Sequence, residues 1–331
     1  MRWKLTGTFL LTVACLAWVL HGIDPGAAGS HLRTMGWGWL VPVEALYLLS
    51  HALRVWRFQL VAGRALRFTR LFSLTSVGYL AIHVVPFRMG ELVRPWLLAE
   101  REGMPLEEGL AAILVERLLD MVMLLGMLLA VGFFVNLPNG VVVQGIDLLR
   151  VGQRGAGVLV ALGLAGLVAV LVLGETLLQR TDRLPGGALA RRFVTSLRAF
   201  AGSPARFTGA LALSVGIWGT TVVGVQISMA AFTGMPSTLL DALTTWALTL
   251  AGMTAIPTPG FFGGYEAACS AIVTLLGADR TAAGTFAFLL HLSQFGLVVL
   301  AGVVALAVEG LSLRKVVAQS RAAVAASTAS R

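Results

Sequence analysis

Long apolar runs, separated by short clusters of arginine, glycine and proline, set the pattern of this chain. A bilayer core roughly 30 Å thick is crossed by about 20 apolar residues in helical form. Runs of that kind lie at Leu5–Ile23, Gly36–Trp56, Leu106–Phe134, Ala156–Leu173, Phe207–Phe232 and Ala282–Val308. Arg2 and Lys4 precede the first, as in a signal peptide, but no small-x-small cleavage site follows and Pro25 comes at once, so it reads as a retained helix. Two further runs do not fit that ruler. Leu71–Val85 meets Pro86, and Leu239–Ile256 meets Pro257 and Pro259; each is followed by a glycine turn and a second short apolar piece, Glu91–Ala99 and Tyr265–Leu276. Proline removes an amide donor and breaks the helical ladder. Gly90 in one, and Gly260, Gly263 and Gly264 in the other, allow a sharp reversal. The pattern predicts two broken-helix hairpins, residues 71–99 and 239–277, each entering and leaving on one side.

The hairpins resemble each other. Pro86-Phe-Arg-Met-Gly90-Glu91 is followed by Gly103 and a long helix, and Pro259-Gly-Phe-Phe-Gly263-Gly-Tyr-Glu266 by Gly277 and another. Three full spans separate them, so the first enters from the cytoplasm and the second from outside, as in the inverted repeats of transporters. The predicted fold is an all-α membrane protein, with about six transmembrane helices plus two re-entrant hairpins in an inverted repeat. It occupies residues 1–310, leaving a short cytoplasmic tail at 311–331.

Composition narrows the class. Of 331 residues, 57% are apolar and 12% are charged, and the mean hydropathy is +0.85; soluble domains carry about 25% charged residues. A soluble enzyme, a disordered protein and a nucleic-acid-binding protein are excluded. Lys and Arg number 25 against 16 Asp and Glu, a net charge of +9. With the amino terminus inside, nineteen of those cations fall in cytoplasmic segments and four outside. That bias follows the positive-inside rule and places both termini in the cytoplasm of an inner-membrane protein. Cys15 and Cys269 lie in apolar stretches, and with only 5 His the chain offers no metal-ligand cluster. No cofactor and no metal are expected.

Ionisable groups within the bilayer cost about 2.5–3.5 kcal/mol each on the gentlest scale, so they need a reason. Here they are Arg88, Glu91, Arg94, Glu116, Arg117, Asp120 and Glu266. Glu116 and Asp120 share a helix face, with Arg117 three residues from Asp120; Glu91 and Arg94 repeat that spacing. The first six are neutral together, so one reading is an ion-pair network pinning the broken helix. The other adds a ligand. Short helices beginning just after Pro86 and Pro259 turn unpaired N–H groups toward the bend, and with Arg88, Arg94 and Arg117 they suit a phosphate. Glu266 supplies an acidic half, and either it or Asp120 is a candidate proton carrier. His83 and His291 are candidate cavity-lining residues, His291 standing where the repeat places Arg117.

Other charges have plainer readings. Arg54–Arg70, with Phe58, Leu60, Leu66 and Phe68 interspersed, reads as an amphipathic helix on the inner leaflet. The basic 180–206 segment reads as a loop facing headgroups. Glu44 and Asp241 cap or snorkel near span starts. Trp3, Trp37, Trp39, Trp56 and Trp96 read as interfacial anchors.

The set Pro86-x-Arg88-x-Gly90-Glu91-x-x-Arg94, Glu116-Arg117-x-x-Asp120 and Pro259-Gly260-x-x-Gly263-x-x-Glu266 resembles the transmembrane region of lysylphosphatidylglycerol synthases, a flippase-like domain family, over residues 5–310. Phe261 departs from it, standing where that family more often has glycine. The resemblance implies a lipid-translocating domain without the soluble acyltransferase-like domain of the full synthases. No Walker motif is present, so movement is not driven by ATP hydrolysis in this chain. The expected function is non-ATP-driven transport of a polar lipid headgroup: phospholipid, aminoacyl-lipid, polyprenyl-phosphate or glycolipid. The alternatives are an intramembrane lipid-modifying enzyme, with Glu116 or Asp120 as general base, and a membrane scaffold for a separate soluble transferase or glycosyltransferase. Membrane lipids are the expected partners.

Overall fold

The computed structural model describes residues 2–84, 90–135, 142–143, 146–181, 187–255, 258–319 and 322, and they are mostly helical. Helix α1 (Arg2–His21) is followed by α2 (Pro25–Thr34). Asp24 starts α2, its carboxylate accepting from Ala27 N at 2.7 Å with Pro25 in the first turn. Sequence reading passed over α2. A 3₁₀ turn at Trp37–Trp39 then leads into α3 (Leu40–Ala62), α4 (Phe68–Val84), α5 (Val93–Glu102) and α6 (Leu106–Phe134). Val142–Val143 pairs antiparallel with Ile146–Asp147 ahead of α7 (Leu148–Thr181). Next come α8 (Gly187–Ala201), α9 (Pro204–Ala230), α10 (Leu239–Ala255), a 3₁₀ turn at Pro259–Phe261, α11 (Gly264–Leu275) and α12 (Arg280–Val308).

Helix α6 coincides with its expected span to the residue. Helix α3 does not. Expected to end at Trp56, it continues to Ala62 because Val55, Phe58 and Val61 extend its buried face, and it stops where Gly63 takes φ +65°. Arg54 and Arg57 therefore sit in a long helix rather than on an amphipathic surface helix. The 180–206 segment, expected as a loop, is helical over α8, with Val194, Leu197 and Phe200 buried at three-residue spacing. Trp39 and Trp96 are buried rather than interfacial, whereas Trp37 and Trp56 are about half exposed. Asp241 does cap: its carboxylate accepts from Thr238 N at 2.9 Å while its own N–H donates to Thr238 Oγ1 at 3.1 Å.

Among the described residues, three helices, α6, α9 and α12, are each long and apolar enough to cross a membrane, and the pair Leu10–His21 and Pro25–Thr34, bent by 79°, is a fourth candidate. The distribution of polarity is that of a protein in lipid. Leu300, Val303, Val304 and Val308 of α12 are more than half exposed, while Arg57, Glu116 and Glu266 are 1% exposed or less.

The structure contains a recurring series. Helices α4, α5 and α6 have 17, 10 and 29 residues, and α10, α11 and α12 have 17, 12 and 29. One constant offset carries Gly78 onto Gly252, Gly90 onto Gly264, Gly103 onto Gly277 and both ends of α6 onto those of α12. The equivalent of Gly90 is thus Gly264. In each hairpin the limbs cross at a glycine: a Cβ at Gly78 would lie 3.0 Å from Arg94 Cβ, and one at Gly252 would lie 2.8 Å from Ala268 Cβ. Pro86, Arg88 and Pro257 lie outside the described residues.

Two compact units divide the chain: 1–50, 123–157 and 218–297 in the first, and 51–122, 158–217 and 298–331 in the second. Each contains one broken hairpin, α10–α11 in the first and α4–α5 in the second.

Candidate functional site

The second unit holds a buried charge cluster. The four-residue spacing of Glu116 and Asp120 puts both carboxylates on one face of α6, and Arg57 of α3 meets them there. Its Nη1 donates to Asp120 Oδ1 at 2.8 Å and to Ser214 Oγ of α9 at 2.9 Å, while its Nε stands 3.8 Å from Glu116 Oε1. Arg94 of α5 donates through Nη1 to Glu116 Oε2 at 2.7 Å. Its guanidinium carbon lies 4.2 Å from the centre of the Phe58 ring. Arg54 and Arg117 approach Asp120 Oδ2 at 3.8 and 3.7 Å.

Four arginines therefore surround two carboxylates. Sequence reading expected a neutral six that included Arg88 and left out Arg54 and Arg57. Arg54 and Arg57 were missed because the stretch Arg54–Arg70 was read as an amphipathic surface helix, and Ser214 of α9 was missed as well. The signal was available in the apolar spacing of Val55, Phe58 and Val61. Ser214 carried none, because it is brought in by a contact 157 residues away in sequence.

A pocket of about 280 Å³, including the part open to solvent, lies between α4, α5 and α6. Thr75, Tyr79, Glu91, Arg94 and Arg117 contribute its polar lining. Among the described residues, several donors in this group are buried without a hydrogen-bond partner: Arg94 Nε and Nη2, Arg117 Nε and Thr75 Oγ1. Such atoms are uncommon in native interiors, where buried polar groups are nearly always satisfied. His83 does not line this pocket; its Nδ1 sits 2.9 Å from the Tyr79 carbonyl one turn back. Gly90 allows the hairpin to close, since a Cβ there would overlap the backbone of Ala81 and Ile82.

In the first unit, Glu266 and His291 form a separate pair. Glu266 is fully buried. Its Oε2 accepts from Gly263 N at 2.6 Å, and its Oε1 is 2.7 Å from His291 Nδ1. The imidazole stacks on Tyr265, ring centres 4.5 Å apart, and lies 4.7 Å from the Phe262 ring. At the amino end of α11, expected to offer free N–H groups to a ligand, Glu266 takes up the Gly263 N–H. Gly263 serves this turn with φ +83°, where a Cβ would also press on Thr12 O at 2.8 Å. Gly260 and Phe261 are left-handed too, at φ +61° and +63°. A phenylalanine there carries strain that the glycine expected from the resemblance would not.

Comparison with known proteins adds a family. The family model described as lysylphosphatidylglycerol synthase TM region matches residues 5–302. Among curated proteins, the chain is 26% identical over 358 aligned residues to "Glycosyltransferase AglD" of Haloferax volcanii. That match takes in 96% of this chain and 56% of the other, so the chain spans about half the length of the curated relative it matches. No solved structure matches.

Proposed function

The chain belongs to the lysylphosphatidylglycerol synthase transmembrane-region family, and we propose that it moves a polar lipid headgroup across the cytoplasmic membrane without ATP hydrolysis. The observation that carries this reading is the buried cluster of Arg54, Arg57, Arg94 and Arg117 around Glu116 and Asp120, beside a broken hairpin. Ionisable groups at membrane depth mark ligand pathways more often than scaffolding. Irregular backbone there is tolerated only inside protein or along a watery cavity. The reading includes about six spans, with the two hairpins inserted from opposite faces as in inverted-repeat transporters. Headgroup-binding roles fall to Glu91, Arg94, Glu116, Arg117 and Asp120; Glu266 and His291 hold the α11 hairpin.

Catalysis by Glu116 or Asp120 fits less well. A general base needs its lone pair directed at a substrate proton, whereas Asp120 Oδ1 and Glu116 Oε2 are both engaged by arginine.

The test uses proteoliposomes containing a headgroup-labelled phospholipid and an impermeant quencher. Wild type is expected to expose inner-leaflet label to the quencher, and Arg117→Ala to slow that exposure at least about tenfold, the loss of one charge-assisted contact. Equal quenching at matched reconstitution sinks the reading for that lipid. A second reading, a membrane scaffold for a soluble transferase, draws on the relative named as a glycosyltransferase. Co-purification of such an enzyme, with translocation unaffected by Arg117→Ala, would favour it.

A further inference from the structure

Glu266 of the first unit is fully buried. The buried carboxylates of the second unit, Glu116 and Asp120, are each matched by arginine. Glu266 is not. Among the described residues its one ion-pair partner is His291, at 2.7 Å. The elements packed around it bring no fixed cation. Helix α1 presents the Cys15 thiol beside Gly263, and α11 itself carries the Tyr265 hydroxyl and the Cys269 thiol. Helix α10 has no ionisable residue after Asp241 in its first turn. The arginine of α12, Arg280, stands about three turns before His291 and faces Trp18.

A carboxylate kept from water needs a compensating charge. With His291 neutral, the pair carries one negative charge, offset only in part by the positive end of α11. With one proton added it is neutral, an imidazolium beside a carboxylate. Tyr265 stacks on the imidazole, and the Phe262 and Phe295 rings flank it with centres 4.7 and 6.3 Å away, so His291 is only 5% exposed. At 2.7 Å, Nδ1 and Oε1 share a hydrogen, whereas a metal ion ligated by both at about 2 Å would spread them. The repeat sharpens the contrast, since its offset carries Arg117 onto His291. Arginine keeps its charge across the physiological range and histidine does not. One repeat thus holds a permanent cation at this position and the other a removable one.

We infer that Glu266 and His291 form a site for one exchangeable proton, and that this proton drives the movement proposed above. The inference rests on the transport reading for its cycle and goes beyond it in naming the coupling ion. The proton comes from water on one side of the membrane, adds to the free lone pair of the His291 ring, and leaves to water on the other side. No bond between heavy atoms forms or breaks. The loaded pair is neutral and suits the water-excluding hairpin seen here. The unloaded pair, one positive charge short, is stable only where water reaches it. Proton binding therefore biases the α10–α11 hairpin between two arrangements, because its affinity differs between them.

The test has two parts, both on the full chain. In detergent, nitrogen-15 spectra of histidine-labelled protein are recorded, with His291→Asn, which keeps a donor for Glu266, identifying the signal. His291 is expected to pass between imidazole and imidazolium within about pH 5–9. Glu266→Gln, which keeps an oxygen for Gly263 N, is expected to lower the proton affinity of His291 at least about tenfold while eluting as monodisperse protein. In proteoliposomes containing headgroup-labelled phosphatidylglycerol, a gradient of about two pH units is imposed with the membrane potential collapsed. Wild type is expected to skew the label between leaflets at least about threefold, in the opposite sense when the gradient is reversed, and Glu266→Gln to lose the skew. A His291 that stays in one protonation state throughout overturns the site. Label that wild type moves but distributes evenly under either gradient overturns the coupling and leaves the transport reading standing. Label that wild type does not move, with His291 still titrating, sinks transport and keeps the proton site.

Discussion

Arg57 divides its guanidinium between Asp120 and Ser214 while only 1% of it reaches solvent. Truncating one member of such a buried pair usually costs about 3–5 kcal/mol, because the remaining charge is left without a partner. Its neighbours are as constrained sterically as Arg57 is electrostatically. Gly90 has the Ala81–Ile82 backbone where a methyl group would go. Gly90→Ala is therefore expected to open the α4–α5 hairpin and destabilise the protein by about 1–3 kcal/mol, the usual range for overpacking. A thermal unfolding midpoint in detergent that matches wild type would contradict this close approach. At this scale sequence reading performed unevenly. It singled out Gly90 and Arg94, whose turn and spacing are local, and assigned Arg57 to a surface helix because a span was cut six residues short of its end at Ala62.

Each short helix is joined to the long helix that follows it by one buried polar contact. Arg94 near the start of α5 meets Glu116 in α6, and Glu266 near the start of α11 meets His291 in α12. The contacts lie near each other in the repeat without being equivalent, since its offset carries Arg94 onto Ala268 and Glu116 onto Leu290, and they differ in chemistry: an arginine–carboxylate pair in one, a histidine–carboxylate pair with an aromatic wall in the other. In the second, one carboxylate does two tasks, capping α11 through Gly263 N and holding His291. His291→Leu should strand a buried acceptor and cost about 1–3 kcal/mol. Glu266→Gln keeps an oxygen for the cap. A double-mutant cycle on the two is expected to give a coupling of about 0.5–3 kcal/mol by chemical unfolding in detergent. Additive effects would mean that the short 2.7 Å contact contributes nothing to holding the hairpin.

For the molecule as a whole, the distribution of arginine predicts an orientation. The segment after the first hairpin contains Arg101, and the one after the second contains Arg280. In a background with Cys15 and Cys269 replaced by alanine, Arg280→Cys is expected to react with an impermeant thiol reagent in intact cells. Arg101→Cys should react only after permeabilisation. Labelling of both positions from the same side would remove the opposed insertion of the hairpins. The recurrence of helix lengths and glycine positions would then stand as a duplication without inversion.

The amino-acid sequence alone determined that this chain lives in lipid and where α6 falls, and it singled out Gly90 and Gly264 at the turns before α5 and α11. Bilayer thickness, helical rise and proline's missing donor act over one turn to one span of chain, so their signature is local. The tertiary structure alone decided which charges meet. Arg57 and Asp120 are 63 residues apart, and Arg57 and Ser214 are 157 apart; no periodicity records contacts at such separations. It also decided that Glu266 turns back on its own helix while the equivalent end of α5 stays uncapped. That difference depends on one side chain three residues into a turn, and on which long helix packs against it.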